Sequence, residues 1–153
     1  MKNPATYEDA NLILKLYELR REEKLREARR WMGSAPQFTS REHWLEYCPP
    51  GTEENAYYRM VTTYWNMAAS FVANGVLNPE LFYQANNMEI LFVWEKVRKL
   101  VPIDRELNKN PLHLKNMETV ANGFIAYLEQ HAPGFHEKWA ANAAKGSAAP
   151  AKK

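Results

Sequence analysis

The chain has 153 residues, of which 46% are hydrophobic and 25% charged, a composition that fits one globular domain and is too apolar for a disordered chain. A net charge of +2 argues against a nucleic-acid binder that relies on phosphate neutralisation. The single cysteine, Cys48, excludes an internal disulfide and a multi-thiolate metal site.

The amino-terminal residues lack the apolar segment of a secretion signal. No apolar run approaches the ~20 residues that are needed to span a bilayer. We therefore expect a cytoplasmic chain that does not insert into membranes.

The first predicted helix begins after Thr6, whose hydroxyl can cap it, with Asp9 at the third helical position. Apolar residues recur at helical spacing as far as Met32, and Gly33 ends the pattern. We expect one rod of about 26 residues, roughly 39 Å long at 1.5 Å per residue. Its charged middle is typical of a solvated face in which acids largely cancel bases. The alternative is a basic docking strip formed by Arg20, Arg21, Arg26, Arg29 and Arg30.

A short helix follows, capped by Thr39 and ended by Pro49 and Pro50. Thr52 then caps a long helix over residues 53–74. This helix enters a run of twenty uncharged residues, which occupies positions 60–79. Such a run predicts a helix that other helices surround on nearly all sides, with Tyr64 and Trp65 enclosed by protein.

Four further helices are predicted in the second half of the chain. Asn78 caps a short helix with proline at its first position, and a longer helix over 88–101 is broken or kinked by Pro102. A second Asn–Pro pair at Asn110 starts another long helix, which Pro133 and the following glycine stop. A weak final helix, FHEKWAANAAK, precedes the end of the chain.

No segment alternates with period two for long, and no hairpin turn signal is present. The predicted fold is therefore all-α: an irregular antiparallel helical bundle of four long and two or three short helices. We expect a single helical domain over 1–140 and a flexible Ala/Lys/Pro tail over 141–153.

Three stretches between residues 6 and 102 carry a common pattern. They are a charged amphipathic helix, TYEDANLILKLYELRREEKLREARRW, a central aromatic helix with its turn, YYRMVTTYWNMAASFVANGVLNPELFYQ, and a tryptophan-bearing helix, ILFVWEKVRKLVP. This pattern resembles a family of bacterial domains classed as being of unknown function. The resemblance implies an all-helical fold and supplies no activity, cofactor or catalytic residue.

Most familiar chemistries are excluded by spacing. No histidine has glutamate three residues before it, as a di-iron bundle requires. Cys48 stands at the carboxyl end of a helix, where no helix dipole would lower its pKa. The chain contains no P-loop, no G-x-G-x-x-G and no G-x-S-x-G. We predict no catalytic, cofactor or metal site, and whether the protein is an enzyme stays open, with a non-enzyme favoured.

Polar side chains of the 53–74 helix fall on one side, at spacings of three or four residues: Arg59, Thr62 or Thr63, Asn66 and Ser70. If other helices cover that side, these groups need partners, since an unsatisfied buried polar group costs ~1–3 kcal/mol. The favoured interpretation is a buried hydrogen-bond network that fixes helix register. The other is a small-molecule pocket closed by Tyr57, Tyr64, Trp65 or Trp94.

These observations predict a non-catalytic interaction or assembly module with a protein partner or a second copy of itself. The alternative is a small-molecule-binding domain with a polar pocket beside the 53–74 helix; a nucleic-acid partner is not expected. The candidate contact residues are Arg59, Thr63, Asn66, Tyr64, Trp65 and Trp94.

Overall fold

A computed structural model describes residues 3–146, and this part of the chain is all-α, as predicted, without any strand. The described helices are α1 (Tyr7–Arg20), α2 (Glu23–Ser34), α3 (Arg41–Tyr47), α4 (Glu53–Ala73), α5 (Pro79–Gln84), α6 (Glu89–Val97), α7 (Val101–Leu107), α8 (Lys115–His131) and α9 (Phe135–Gly146).

The longest helix, α4, forms the centre of the fold and packs against α2 and α8, and α6 packs on α8. Tyr64 and Trp65 are both buried, and Trp65 is only 1% exposed. The expectation that Tyr64 and Trp65 are enclosed by protein is confirmed, but Thr63 and Met67 are exposed, so one side of this uncharged helix faces solvent. Burying one such large side chain contributes roughly 1.5–3 kcal/mol, so α4 supplies much of the driving force for the fold.

The long first helix predicted from the sequence is wrong, because the chain breaks between α1 and α2. Glu22 leaves the helical conformation (φ −60°, ψ 139°), and its carboxylate accepts hydrogen bonds from the backbone N–H groups of Lys24 at 3.0 Å and Leu25 at 2.9 Å. A side chain that accepts from the second and third following N–H groups caps a new helix. The rod is therefore replaced by two shorter helices.

Three predicted boundaries also differ. Ser40 rather than Thr39 caps α3, because its hydroxyl accepts from the backbone N–H of His43 at 3.1 Å. The helix predicted over 88–101 ends at Val97, since the ring of Pro102 would clash with the carbonyl of the residue four positions earlier in a continuous helix. Pro102 instead occupies the first turn of α7, where its missing N–H has no cost.

The last long helix, α8, begins at Lys115 instead of directly after Asn110. The residue before it, Leu114, has a left-handed backbone (φ 50°) and provides no side-chain cap. Residues 111–114 form turns, so the Asn–Pro pair starts a turn here rather than a helix.

Other local signals are confirmed. Thr6 and Asp9 form the predicted capping box, Thr52 caps α4, and Asn78 caps α5 with Pro79 in its first turn. The final helix, α9, packs on α8 and extends to Gly146, into the stretch expected to be a tail. The rest of that stretch, residues 147–153, lies outside the described residues. Within residues 3–146, no helix combines the length and apolarity needed to cross a membrane.

Candidate functional site

The polar side chains predicted on α4 do not gather around a cavity. Arg59 and Thr63 are exposed; Arg59 Nε donates to Asn55 Oδ1 at 3.2 Å, and the Thr63 hydroxyl donates to the Arg59 carbonyl. Asn66 contacts α8 instead, where its side-chain oxygen accepts from the backbone N–H of Met117 at 3.1 Å. These three side chains line neither the cavity between the end of α1 and the start of α2 nor the one between the start of α1 and α8.

The three aromatic candidates are all buried. Tyr64 donates its hydroxyl to the Leu16 carbonyl at 2.6 Å and so ties α4 to α1. Trp94 belongs to the core, whereas Trp65 lies at the edge of a charged region, with its Nε1 at 3.4 Å from Glu89 Oε1. Of the predicted contact residues, Trp65 therefore lies next to the cluster of charged side chains.

That region is a cleft formed where α1 ends and α2 begins, and we call it the arginine cleft. It is lined by Tyr17, Arg20, Arg21, Arg26, Arg29, Asn86 and Glu89. On one continuous helix Arg20 and Arg29 would point to opposite faces, because nine residues make about two and a half turns. The break at Glu22 turns α2 back, so that four arginines of the predicted docking strip converge, while Arg30 does not line the cleft.

One wall of the cleft is a fixed ion pair. Arg29 donates to both carboxylate oxygens of Glu89, with Nε at 2.9 and 3.0 Å and Nη2 at 2.7 Å. Its Nη1 donates to the carbonyl of Arg20 at 3.0 Å, which satisfies one of the free carbonyls at the carboxyl end of α1. The geometry of the break thus depends on a contact between residues that are 60 positions apart in sequence.

The floor of the cleft is formed by Arg20, a residue that is only 7% exposed as a whole. Its guanidinium lies 5.2 Å from the ring centroid of Trp65 and 5.4 Å from that of Tyr17, in cation–π contact with both. Within residues 3–146 its guanidinium neither donates a hydrogen bond nor pairs with a carboxylate. None of its nitrogen atoms is among the fully buried polar atoms of the described residues that lack a partner, so the guanidinium still reaches the solvent in the cleft.

The cleft has a volume of about 520 Å³ and a strongly positive lining. Four guanidinium groups face one carboxylate, a formal sum of +3, whereas the whole chain carries +2. Arg29 and Glu89 neutralise each other, so the field arises from Arg20, Arg21 and Arg26. Arg21 and Arg26 are exposed at its rim.

The sequence pattern did not predict this site, because it placed these arginines on one long helix on which acidic residues largely cancel the basic ones. A local signal was present, since Arg20 and Arg21 are followed directly by Glu22 and Glu23. Cations favour the carboxyl end of a helix and anions its amino end. A basic pair followed by an acidic pair therefore indicates the end of one helix and the start of the next.

A family model described as Domain of unknown function (DUF4760) matches residues 5–124. The chain belongs to the DUF4760 family. This confirms the resemblance to a family of unknown function, and the matched stretch includes every residue that lines the arginine cleft. No curated protein and no solved structure matches the chain significantly.

Cys48 of this DUF4760 chain is fully buried, and burial raises the pKa of its thiol to about 11. A thiol in this state is a weak nucleophile near neutral pH. Among residues 3–146, no group of three or more His, Cys, Asp or Glu side chains is arranged to hold a metal ion.

Lys96 of α6 is a buried cation whose amine contacts the end of α2. Burial lowers the pKa of this amine to about 8. The amine donates to the carbonyls of Met32 at 2.7 Å and Gly33 at 3.1 Å, and also to that of Ala35, so it caps the carboxyl end of α2. Because it lines neither cavity and every donor has an acceptor, its role is structural.

A second polar cluster joins α3, α7 and the turn before α8. Arg41 Nη1 donates to Asp104 Oδ1 at 2.9 Å, and His113 Nε2 lies 3.9 Å from Asp104 Oδ2. Burial lowers the pKa of His113, which keeps the imidazole neutral near pH 7. These contacts link α3 and α7 to the turn before α8, and none of the three side chains lines the arginine cleft of this DUF4760 domain.

Proposed function

We propose that this domain is a non-catalytic binding module whose arginine cleft holds a small phosphorylated anion. The carrying observation is the guanidinium of Arg20, a residue only 7% exposed, which lines the cleft without a hydrogen-bond partner among the described residues and keeps its donors open to the cleft. The sequence pattern indicated a small-molecule pocket beside the 53–74 helix as an alternative. The proposed site keeps that idea and keeps Trp65 as a neighbour, but arginines of α1 and α2 line it instead of the other predicted residues.

The energetics support an anionic ligand. Cation–π contact with Trp65 contributes about 0.5–2 kcal/mol and leaves the hydrogen-bond donors of Arg20 free for a ligand. Hydrogen bonds to a charged group contribute roughly 1.5–3 kcal/mol each. A phosphate suits the site because guanidinium donors match its oxygens in a bidentate manner.

Size and charge narrow the class of ligand. A volume of about 520 Å³ is that of a small-molecule site rather than of an extended polymer track. The carboxylate of Glu89 stays bound to Arg29, so it closes one side of the cleft against further negative charge. A compact phosphate ester or pyrophosphate fits these limits better than a nucleic acid.

The direct test is isothermal titration calorimetry with inorganic pyrophosphate at low ionic strength. We expect a Kd below about 1 mM, which corresponds to about −4 kcal/mol. Arg20→Gln should weaken binding at least tenfold, whereas Arg30→Gln should leave it unchanged. Arg30 is the matched control because it is an exposed arginine of α2 that does not line the cleft.

Stability measurements separate binding from folding. Arg20→Gln loses two cation–π contacts but no hydrogen bond or ion pair among the described residues, so we expect the free energy of unfolding to fall by no more than about 2 kcal/mol and the fold to be kept. Two results would overturn the proposal: no heat of binding with the wild type at millimolar pyrophosphate, or equal losses in Arg20→Gln and Arg30→Gln.

A second candidate function, association with a protein or with a second copy, is supported by the outer face of α1. Tyr7, Ala10, Leu14 and Tyr17 follow the three-and-four spacing of a coiled-coil seam. Tyr7 is 87% exposed and Leu14 61% exposed, so this apolar stripe is not covered by the rest of the domain. Exposed apolar stripes of this kind mark interaction surfaces.

Sedimentation equilibrium over a range of protein concentrations tests self-association. We expect Leu14→Lys to shift the chain toward the monomer, with Leu112→Lys as the control because Leu112 is exposed elsewhere in the fold. A wild type that stays monomeric at every concentration would rule out association with a second copy of the chain.

We propose the cytoplasm as the compartment, which suits the free thiol of Cys48.

A further inference from the structure

A second cavity lies at the other end of α1, and we call it the tyrosine groove. It is bounded by the start of α1, the α4–α5 connection and α8, and has a volume of about 700 Å³. Asp9, Val76, Tyr83, Gly123 and Tyr127 are among its lining residues. Asp9 and Arg20 are eleven residues apart on α1, about 16 Å along the helix axis, so the groove and the arginine cleft are separate.

One wall of the groove is a tyrosine that a glycine allows to approach α8. The ring of Tyr83 stacks on Phe124 with centroids 4.7 Å apart and an interplanar angle of 17°. A Cβ atom at Gly123 would lie 2.6 Å from the Tyr83 hydroxyl, closer than real contacts allow. Glycine at this position therefore permits the ring to lie flat along α8, with Tyr127 5.2 Å away.

The electrostatics of the groove are opposite to those of the arginine cleft. No lysine, arginine or histidine is among the described residues that line it, while the carboxylate of Asp9 is. Hydrogen bonds from the backbone N–H of Asn78 at 2.8 Å and from Thr6 lower the pKa of Asp9. Asp9 therefore stays negatively charged through the neutral and mildly acidic range.

We propose that the tyrosine groove is a second binding site, and that its ligand is a small organic cation with an aromatic or quaternary ammonium group. Aromatic faces attract such cations within about 6 Å of the ring centroid, and the Asp9 carboxylate adds a favourable field. The volume of about 700 Å³ holds a ligand of this class with room for an apolar body. The Tyr83 hydroxyl, without a hydrogen-bond partner among the described residues, is available to a polar group of the ligand.

The test uses benzyltrimethylammonium as the probe, followed by chemical-shift perturbation in two-dimensional NMR spectra of the full chain. Benzoate, of similar size and opposite charge, is the matched ligand control. We expect the cation to perturb residues around Tyr83 and Gly123 with saturation, and benzoate not to perturb them. Equal binding of both probes, or no saturable shift with the cation, would overturn the proposal.

Two lysine variants separate the groove from general charge effects. Val76→Lys places a cation at a position that lines the groove and is already exposed, so the fold should be kept. Leu112→Lys makes the same change at an exposed site outside it. We expect at least a tenfold loss of cation affinity in Val76→Lys and none in Leu112→Lys; equal affinities would contradict the assignment.

Gly123→Ala tests the close contact between Tyr83 and α8 that forms one wall of the tyrosine groove. Its Cβ would displace the Tyr83 ring, and we expect weaker binding of the cation together with shifted Tyr83 resonances. Pyrophosphate binding in the arginine cleft should not change in this variant, because the two sites share no lining residue. A variant that loses cation binding in the tyrosine groove but keeps pyrophosphate binding in the arginine cleft would test the two proposals independently.

Discussion

The side-chain oxygen of Asn66 accepts a hydrogen bond from the backbone N–H of Met117 at 3.1 Å, so a residue inside α4 caps the amino end of α8. Leu114, which precedes α8, has no side chain that can do this. Free N–H groups at a helix start need acceptors. The polar side of α4 thus acts, at Asn66, as a link between helices.

Asn66→Ala should therefore destabilise the fold by about 1–2 kcal/mol, the usual effect of losing a cap. Asn66→Asp keeps an acceptor and adds a negative charge near the positive end of the α8 dipole, so we expect stability close to that of the wild type. Urea unfolding followed by circular dichroism measures both. Thr63→Ala, a change at an exposed position of the same helix, is the control and should stay within about 0.5 kcal/mol.

The hydroxyl of Tyr64 fixes α1 to the core, since it donates to the Leu16 carbonyl at 2.6 Å. Tyr64→Phe removes this one hydrogen bond and should cost about 0.5–1.5 kcal/mol. We expect faster amide hydrogen exchange in α1 with little change in α8. Tyr57→Phe is the control, because the Tyr57 hydroxyl contacts Glu27 of α2 instead, at 3.1 Å. Equal effects of both variants on α1 exchange would contradict this role.

Local signals allowed most helix starts to be predicted. The caps at Thr6, Thr52 and Asn78 each act on N–H groups within three residues, so the information lies in a short stretch of sequence. The start of α8 could not be obtained this way. Its cap comes from Asn66, 51 positions earlier, and depends on how α4 packs.

The candidate site, too, was predictable from the sequence only where local pattern determines it. The sequence predicted that Tyr64 and Trp65 are enclosed, because a long uncharged helix needs neighbours on most sides. It did not predict the arginine cleft, since the cleft requires both the break at Glu22 and the ion pair of Arg29 with Glu89. The second of these is a contact across the fold that periodicity does not encode.

Cys48 should react slowly with thiol reagents in the folded protein. Burial raises its pKa to about 11, and its thiol donates to the carbonyl of Trp44 at 3.4 Å. Because the thiolate is the reactive form, labelling by dithionitrobenzoate at pH 8 should require opening of the fold. We expect complete labelling within minutes in 8 M urea and labelling slower by at least tenfold in buffer. Equally fast labelling in both would contradict the buried position.

Lys96 provides a test with a defined pH dependence. Lys96→Met removes the amine that donates to the carbonyls of Met32, Gly33 and Ala35 and should cost about 1–3 kcal/mol at pH 7. Burial lowers the folded-state pKa of Lys96 to about 8, whereas a lysine in an unfolded chain has a pKa of about 10.4. Between these values the unfolded chain binds more protons, so the free energy of unfolding of the wild type rises with pH.

The methionine variant lacks this titration, and the stability difference between it and the wild type should therefore widen from pH 8 to pH 10. Each unit of pKa difference corresponds to about 1.4 kcal/mol. Urea unfolding of both proteins at pH 7.5, 9 and 10 measures this difference in the free energy of unfolding. The other titrating groups are the same in both proteins, so their contributions cancel in the difference. Lys99→Met, at an exposed lysine just beyond the end of α6, should stay within about 0.5 kcal/mol of the wild type. A stability difference that is constant or narrows with rising pH would show that burial does not destabilise the charged form of the Lys96 amine.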